Sequence, residues 1–579
     1  MRWSLPRLVL PFTFVAWFLV SPAHTYSLDE IAKRYTRRTA HGIHLPIVKQ
    51  VTNTIERRAL FGVSGLGDYF DVAYTVVLMI GGVTTPFILD TGSSDLWTLS
   101  DACLSGCTHN GSHDVRVYPQ STFNSSGLDV EMLYGDSRTG TFARGVIGND
   151  TVHLAGMTMQ DQYFAAINVT NTSVLDVGAA GILGLGFPVN SVIWNSMFQE
   201  KYDTEAGVVT AKKRESIAPL ARPNFKWGSQ FPDLHFRRLE FPSVSGILGT
   251  TTGKSARRTT SLISSALASW ASIGPLLART VMRHQLMSPM FTITLQRDTI
   301  DVGGNAGMLS IGEMPSGVSE DKLTWVPLRN YTYDEGGLPA PPDSPGEVYP
   351  IAWEVMIDDV YFNGEKLPRS NISSSSIALS ALIDTGSSLI RGPADVVQYI
   401  FNQLGHEGQY PCSNSHSLAF SIGNKLFPVD PRDFAAQVFP NSVEVCYPNI
   451  AVTDPPREDG YRFSWSMGTP FLKSVLTCYH YGNLSYPSQD PPKMGFLSTV
   501  PSDANGRMQH AASAAAKANN NFPSISEPAP TGSFVKIGTN AQGVPQATYP
   551  KTNSASRCVG PAVISVGVLG FALLFITLW

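Results

Sequence analysis

Two aspartates stand in matched frames in this chain of 579 residues. Phe87-Ile88-Leu89-Asp90-Thr91-Gly92-Ser93-Ser94 returns as Ala381-Leu382-Ile383-Asp384-Thr385-Gly386-Ser387-Ser388, so Asp-Thr-Gly-Ser-Ser occurs twice, each time after an apolar run. An apolar strand that runs into this pentapeptide sets a carboxylate where the chain turns sharply. Glycine has no Cβ, so the backbone can turn tightly and its N–H can approach the carboxylate. Threonine and serine hydroxyls can then orient that carboxylate by hydrogen bonds. Two such loops meeting face to face bring Asp90 and Asp384 within hydrogen-bond range. Like charges that close cannot both ionise, so the pair holds one proton between them and titrates as a unit. The charged member can take a proton from water while the protonated member donates to a carbonyl oxygen. This chemistry calls for no metal and no cofactor, and the 12 His and 6 Cys show no metal-ligand spacing.

The elements that must position these loops read as strands. Tyr74–Ile80, the Gly81-Gly82 turn and Phe87-Ile88-Leu89 form an opening hairpin. Short Val, Ile, Leu, Phe and Tyr segments between Gly, Asn, Asp and Pro breaks then recur through 59–200 and 291–502, the pattern of all-β domains. Helices are expected only at Ala394–Leu404, after Pro393, and at Ser191–Lys201. A fainter echo pairs Gly181-Ile182-Leu183-Gly184-Leu185-Gly186 with Trp465-Ser466-Met467-Gly468-Thr469-Pro470-Phe471, each roughly 80 to 95 residues after its Asp-Thr-Gly. Two lobes of similar plan follow.

With these motifs in place the sequence resembles the pepsin-like aspartic proteases over roughly 65–200 and 285–500. Ser94-Asp95-Leu96-Trp97 follows the first motif as it does in that family, and Met132-Leu133-Tyr134-Gly135-Asp136 resembles the flap hairpin that closes over substrate. The resemblance implies a bilobal all-β fold whose cleft binds extended polypeptide substrates, acting as a monomer without cofactor. It implies Asp90 and Asp384 as catalytic residues, with Thr91 and Thr385 interlocking the loops and Ser93 and Ser387 hydrogen-bonding the carboxylates beside Gly92 and Gly386. Tyr134 would be the flap tyrosine, its hydroxyl near the indole N–H of Trp97, with Gly135 beside it. Disulfides Cys103–Cys107 and Cys412–Cys446 fall where the family has them. Asp136 either faces a substrate side chain, favouring Lys or Arg beside the scissile bond, or simply forms a turn. A pepsin-fold protein that only binds, or a cell-wall glycoprotein, is the alternative; such relatives are expected to lose an aspartate or the flap tyrosine, and all three residues are here.

Charge is segregated along the chain. Residues 59–200 carry 13 acids against 3 bases and 291–502 carry 23 against 12, whereas 201–290 carry 13 bases against 5 acids. The net charge of −4 and the acidic lobes argue against nucleic-acid binding. The basic insert 201–290, with Lys212-Lys213-Arg214, Arg237-Arg238 and Arg257-Arg258 and little periodicity before about Ser264, reads as an exposed, poorly ordered loop, as a loop cut at its basic pairs, or, in part of 206–262, as sequence foreign to the mature protein. Cys478 in Val475-Leu476-Thr477-Cys478-Tyr479 is expected to be a buried small hydrophobe.

The two ends read as addresses. Residues 1–23 have the basic, apolar and small-residue order of a secretory signal peptide. Residues 24–58, basic and ending in Arg57-Arg58, read either as a propeptide able to cover an acidic cleft or as a solvated charge run. Sequons at Asn110, Asn124, Asn149, Asn168, Asn171, Asn330, Asn371 and Asn483 fit a secreted glycoprotein. Residues 503–556 read as an Ala/Ser/Pro-rich stalk. Residues 557–579 end in an apolar run after small residues, the order of a glycolipid (GPI) anchor signal with attachment at Asn553 or Ser554, a transmembrane helix being the other reading. This layout resembles the fungal GPI-anchored, yapsin-like branch and places the protein on the extracellular face of the plasma membrane or in the cell wall.

Overall fold

The computed structural model describes residues 36–46, 48–51, 72–205 and 254–518, apart from short stretches at 108–114, 136–139, 176, 296–306, 316–317, 333–334, 336, 440–441 and 457–460, with a few residues beyond. Strands dominate, in two lobes. The N lobe is an eight-stranded sheet in which Val83–Asp90 lies between Val72–Ile80 and Gly181–Gly184, followed by Leu96–Leu99, Met157–Thr170, Thr141–Leu154 and Asn124–Tyr134. The C lobe centres on a five-stranded sheet in the order Glu354–Met356, Ser380–Ile383, Trp465–Met467, Ile390–Pro393, Ile450–Thr453. A seven-stranded sheet gathers Arg37–Arg38, Ile43–Pro46, Gly307–Ile311, Met290–Leu295, Val475–His480, Lys493–Ser498 and Thr324–Pro327.

The two lobes repeat one local plan. In the N lobe, Val83–Asp90 pairs parallel with Gly181–Gly184, which pairs antiparallel with Leu96–Leu99. In the C lobe, Ser380–Ile383 pairs parallel with Trp465–Met467, which pairs antiparallel with Ile390–Pro393. Strands so enclosed are buried on both faces, which explains why they read as unbroken apolar runs rather than alternating ones. Where only one face is covered, alternation returns: along Val130-Glu131-Met132-Leu133-Tyr134, Val130, Met132 and Tyr134 pack inward and Glu131 faces solvent.

The basic insert differs from its sequence reading at both ends. Val192–Glu205 and Lys254–Ile273 are helices, and the second is followed by Leu276–Met282. Ile263, Ala266, Leu267 and Trp270 recur at helical spacing and are buried in the main core. The indole of Trp270 meets Trp194 edge-on at 5.9 Å and Tyr349 at 6.2 Å, so the insert packs against a loop of the C lobe. Residues 206–253, with two of the three basic clusters, lie outside the described residues. Trp270→Ala should therefore cost about 3–5 kcal/mol in denaturant unfolding. A loss below about 0.5 kcal/mol would mark the helix as dispensable dressing.

The stalk also begins later than composition suggested. Ala504–Lys517 is a helix whose Ala504, Met508, Ala512 and Ala515 are buried. Ser415 donates to the Asn505 carbonyl and Gln437 to that of Asn520, tying this helix to the C lobe. The signal was a period of small residues, which carries little hydropathy.

Within segment 24–58, Ile43–Pro46 pairs with Gly307–Ile311, and Val48–Val51 pairs with Val72–Ile80. The segment thus belongs to two sheets rather than lying as a loose charged arm. His44 is buried, with Nδ1 2.8 Å from Ser310 Oγ and Nε2 2.6 Å from Glu313 Oε1.

Cys103–Cys107 and Cys412–Cys446 are bridged, with Cα separations of 6.0 and 4.9 Å. Cys478 is free and buried, and burial pushes its thiol pKa up. Of the sequons, Asn124, Asn171, Asn330 and Asn371 are exposed and Asn168 and Asn483 half-buried. Asn149 sits within Thr141–Leu154 and is buried. Asn110, Asn553, Ser554, the dibasic Arg57-Arg58, the signal segment and 557–579 lie outside the described residues. Among the described residues no helix is long and apolar enough to cross a membrane.

Candidate active site

The two Asp-Thr-Gly loops meet where the lobes abut. Asp90 ends its strand with its carbonyl accepting from Leu185 N–H at 2.8 Å, and Asp384 N–H donates to the Met467 carbonyl at 3.1 Å. Each aspartate is thus held by the second echo motif of its own lobe. Both carboxylates are buried and hydrogen-bonded to each other.

Threonines interlock the loops. Thr91 N–H donates to Thr385 Oγ1 and Thr385 N–H to Thr91 Oγ1, both at 3.0 Å. The hydroxyls pass their own protons onward, Thr91 to the Ile383 carbonyl at 2.8 Å and Thr385 to that of Leu89 at 2.7 Å. A cross-lobe ring of four bonds, with little play, fixes the strand ends that carry the aspartates.

Glycine is demanded by space at the dyad. A Cβ on Gly92 would lie 2.6 Å from Asp384 Oδ1, and one on Gly386 2.5 Å from Asp90 Oδ1. Their N–H groups each donate to the aspartate two residues before, at 2.8 Å. The serines break the symmetry. Ser93 Oγ donates to Asp90 Oδ2 at 2.5 Å. Ser387 does not reach Asp384; its hydroxyl donates to the Leu389 carbonyl at 3.0 Å, correcting the expectation of two equivalent supports. The backbone at the two serines is held alike, the Ser93 carbonyl accepting from Gly186 N–H and the Ser387 carbonyl from Thr469 N–H, both at 2.8 Å, so the difference lies in the side-chain hydroxyls.

This asymmetry sets the electrostatics. Burial raises the pKa of Asp90, opposed by the Ser93 hydroxyl and the Gly92 and Ser93 N–H groups. Burial raises Asp384 well above the usual carboxylate range, and the neighbouring Asp90 charge adds to it, with fewer donors opposing. The shared proton therefore belongs on Asp384 and the charge on Asp90.

Trp97 Nε1 donates to the Tyr134 hydroxyl at 2.5 Å, and both side chains are buried. Gly135 follows at φ +87°, the left-handed region that lets the hairpin bend. Asp136 lies outside the described residues.

Several supports had no role assigned by the motifs. Asp95 is buried and accepts from Ser191 Oγ, Val192 N–H and Ile193 N–H, capping the Val192–Glu205 helix; burial holds its pKa up at about 6. The Leu185 carbonyl accepts from both Trp353 Nε1 and the Tyr481 hydroxyl, so one residue links Asp90 to the C-lobe aromatic layer. Glu354 is buried and accepts from the Tyr331 and Ser380 hydroxyls, with its pKa raised by burial. Among the described residues no cluster of ligating side chains suited to a metal occurs.

A family model described as eukaryotic aspartyl protease matches residues 73–214 and 238–486. The chain is 25% identical to cathepsin E-A of Xenopus laevis over 430 residues, 72% of this chain and 79% of that protein. It is 24% identical to pepsin A of Rhinolophus ferrumequinum over 444 residues, 74% and 83% of the two chains. It is 20% identical to major aspartyl peptidase 1 of Cryptococcus neoformans var. grubii over 460 residues, 77% and 72%.

Proposed function

Because this chain belongs to the eukaryotic aspartyl protease family, we propose that it is an aspartic endopeptidase of acidic environments, secreted and held at the cell surface. The observation that carries the reading is the pair of buried, interlocked aspartates whose unequal hydrogen bonding separates their roles. Asp90, ionised, takes a proton from a water positioned between the carboxylates as that water attacks the scissile carbonyl carbon. Asp384, protonated, donates to the carbonyl oxygen, giving a neutral gem-diol. The proton gained by Asp90 then passes to the leaving amine as the C–N bond breaks, while a gem-diol hydroxyl returns its proton to Asp384, leaving a carboxylic acid and the dyad with its one proton. Tyr134 on the flap, braced by Trp97, closes over the peptide.

The buried acids support an acidic working range. Asp90, Asp95, Glu354 and Asp384 all have folded pKa values raised by burial. Their folded forms hold more protons than the unfolded chain, so stability is highest below the unfolded values and falls as pH rises toward the folded ones.

The basic segment 24–58 acts in this reading as a removable propeptide. Its strands lie at the edges of two sheets, and Glu313 anchors the first of them through Thr39 and His44. Burial would raise Glu313, but donors from Thr39 and His44 prevail and its pKa is lowered. The stability contributed by this contact is present above the unfolded value and is lost as pH falls through the folded one, so acid loosens the segment. The order of segments at the two ends supports secretion and glycolipid anchoring.

The test is cleavage of a peptide library across about pH 3 to 7 by the secreted protein lacking 554–579, with N-terminal sequencing of the active species. Acid-optimal cleavage blocked by a statine-type transition-state analogue is the expected result. Folded, propeptide-free protein that cleaves nothing would move the reading to a pepsin-fold binding protein.

A further inference from the structure

Bonds gathered at one place hold two bodies together but leave them free to rock about it. The threonine ring and the two donors to the Leu185 carbonyl are such bonds, all buried beside the aspartates. A further side-chain bond crosses the lobes elsewhere: the Tyr461 hydroxyl donates to Asn190 Oδ1 at 2.8 Å, in a partly buried position. Asn190 closes the Pro188–Asn190 turn of the N lobe. That turn is fastened to the residues after Asp90, since Ser94 Oγ donates to the Phe187 carbonyl at 2.8 Å and Ser191 Oγ to Asp95 at 2.5 Å. Tyr461 opens the C-lobe segment that runs into Trp465–Met467, where the Met467 carbonyl accepts from Asp384 N–H. The bond therefore joins the supports of one aspartate to those of the other.

Tyr461 is braced from behind. Arg462 N–H donates to the Tyr331 hydroxyl at 3.2 Å, and the Arg462 guanidinium pairs with Glu335 at 2.6 Å. Glu335 also accepts from Thr332 N–H at 2.9 Å. The Tyr331 hydroxyl donates to buried Glu354, which Ser380, at the start of the Ser380–Ile383 strand, engages as well. The Tyr461 ring packs on Phe463 at 5.2 Å and meets Tyr331 edge-on at 6.5 Å. A tyrosine so held transmits force between the lobes rather than swinging aside.

We propose that Tyr461 is a positioning residue whose hydroxyl bond to Asn190 stops the lobes rocking and keeps them in the orientation that binds an extended polypeptide. This rests on the protease reading above. The tie acts at the supports, so the chemistry at the dyad, fixed by the threonine ring, is left as it is. Apparent affinity scales with the fraction of molecules already in the binding orientation. One hydrogen bond of ordinary strength shifts such an equilibrium by about fivefold. Its loss belongs in KM, with kcat kept.

The experiment uses the full-length, matured protein and a long peptide substrate, with Tyr461→Phe, Asn190→Ala, the double variant and Asn190→Asp. Each single variant should raise KM by about threefold to tenfold and leave kcat within about twofold. The double variant should be no worse than either single one, because both remove the same bond. Asn190→Asp should return KM close to wild type, since a carboxyl oxygen accepts from the same hydroxyl. Unchanged KM in Tyr461→Phe, additive effects in the double variant, or a fall in kcat at constant KM would overturn the assignment. Should Tyr461→Phe fail to fold, Asn190→Ala and its rescue by Asn190→Asp carry the same test. Should the wild type cleave no peptide, the protease reading fails. Spin labels at Asp129→Cys and Glu365→Cys, both exposed and one in each lobe, then report the lobe separation directly. Tyr461→Phe should broaden that distance distribution, and an unchanged distribution refutes the tie.

Discussion

Asp384→Asn will abolish cleavage while making the folded protein more stable near neutral pH. The first effect follows from the assignment of the shared proton. An amide in place of the protonated carboxyl cannot transfer a proton to the scissile oxygen, and it removes the partner that tunes Asp90. With acid and base function both impaired, the loss should reach about 10⁴-fold in kcat. The second effect has the opposite sign. The pKa of Asp384 is raised by burial and by the Asp90 charge, so in the folded state ionising it is resisted. As pH climbs above the unfolded carboxylate value, the folded wild type retains a proton that the unfolded chain has lost, and its stability drops. Asn does not titrate and escapes this penalty. Denaturant unfolding of wild type and variant at about pH 4 and pH 7 should show a stability gain that is small in acid and grows with pH. Residual cleavage within tenfold of wild type would show that other groups do the chemistry. A pH-independent stability difference would show that the buried carboxylate is not the source of strain.

Gly92→Ala should cost at least about 10²-fold in kcat with little loss of fold. The reason is contact, not backbone freedom. The new methyl would sit 2.6 Å from Asp384 Oδ1 and 2.7 Å from its Cγ, and Asp384 has no room to retreat because Gly386 N–H and the threonine ring hold it. The carboxylate must tilt, which breaks its hydrogen bond to Asp90 and displaces the water between them. Gly386→Ala repeats the clash from the other side, 2.5 Å from Asp90 Oδ1. Gly346→Ala is the control, since a Cβ there meets nothing within 4 Å. The readouts are kcat on a good peptide, affinity for a statine analogue and the unfolding midpoint. Full activity in Gly92→Ala would mean that the two loops do not approach as closely as described.

The sequence by itself determined what is local or repeated. An apolar run entering Asp-Thr-Gly-Ser specifies a strand ending in a tight turn, and its second occurrence specifies a second lobe with the same strand. The Ala394–Leu404 helix was legible from its period and from Pro393 before it. So was the helix after Ser191, whose hydroxyl accepts from Trp194 N–H as a local cap, whereas its second cap comes from Asp95, 96 residues away. Tertiary structure decided everything that depends on one segment finding another. Ser93 and Ser387 share the same Asp-Thr-Gly-Ser-Ser frame, yet only Ser93 turns its hydroxyl to its carboxylate, while Ser387 turns to the Leu389 carbonyl. The threonine ring joins residues 294 apart. Trp270 reads as one aromatic in a basic insert until Trp194 and Tyr349 close around it. Backbone preference and apolar period act within a few residues, whereas side-chain partners across a lobe boundary are set by how complete sheets pack.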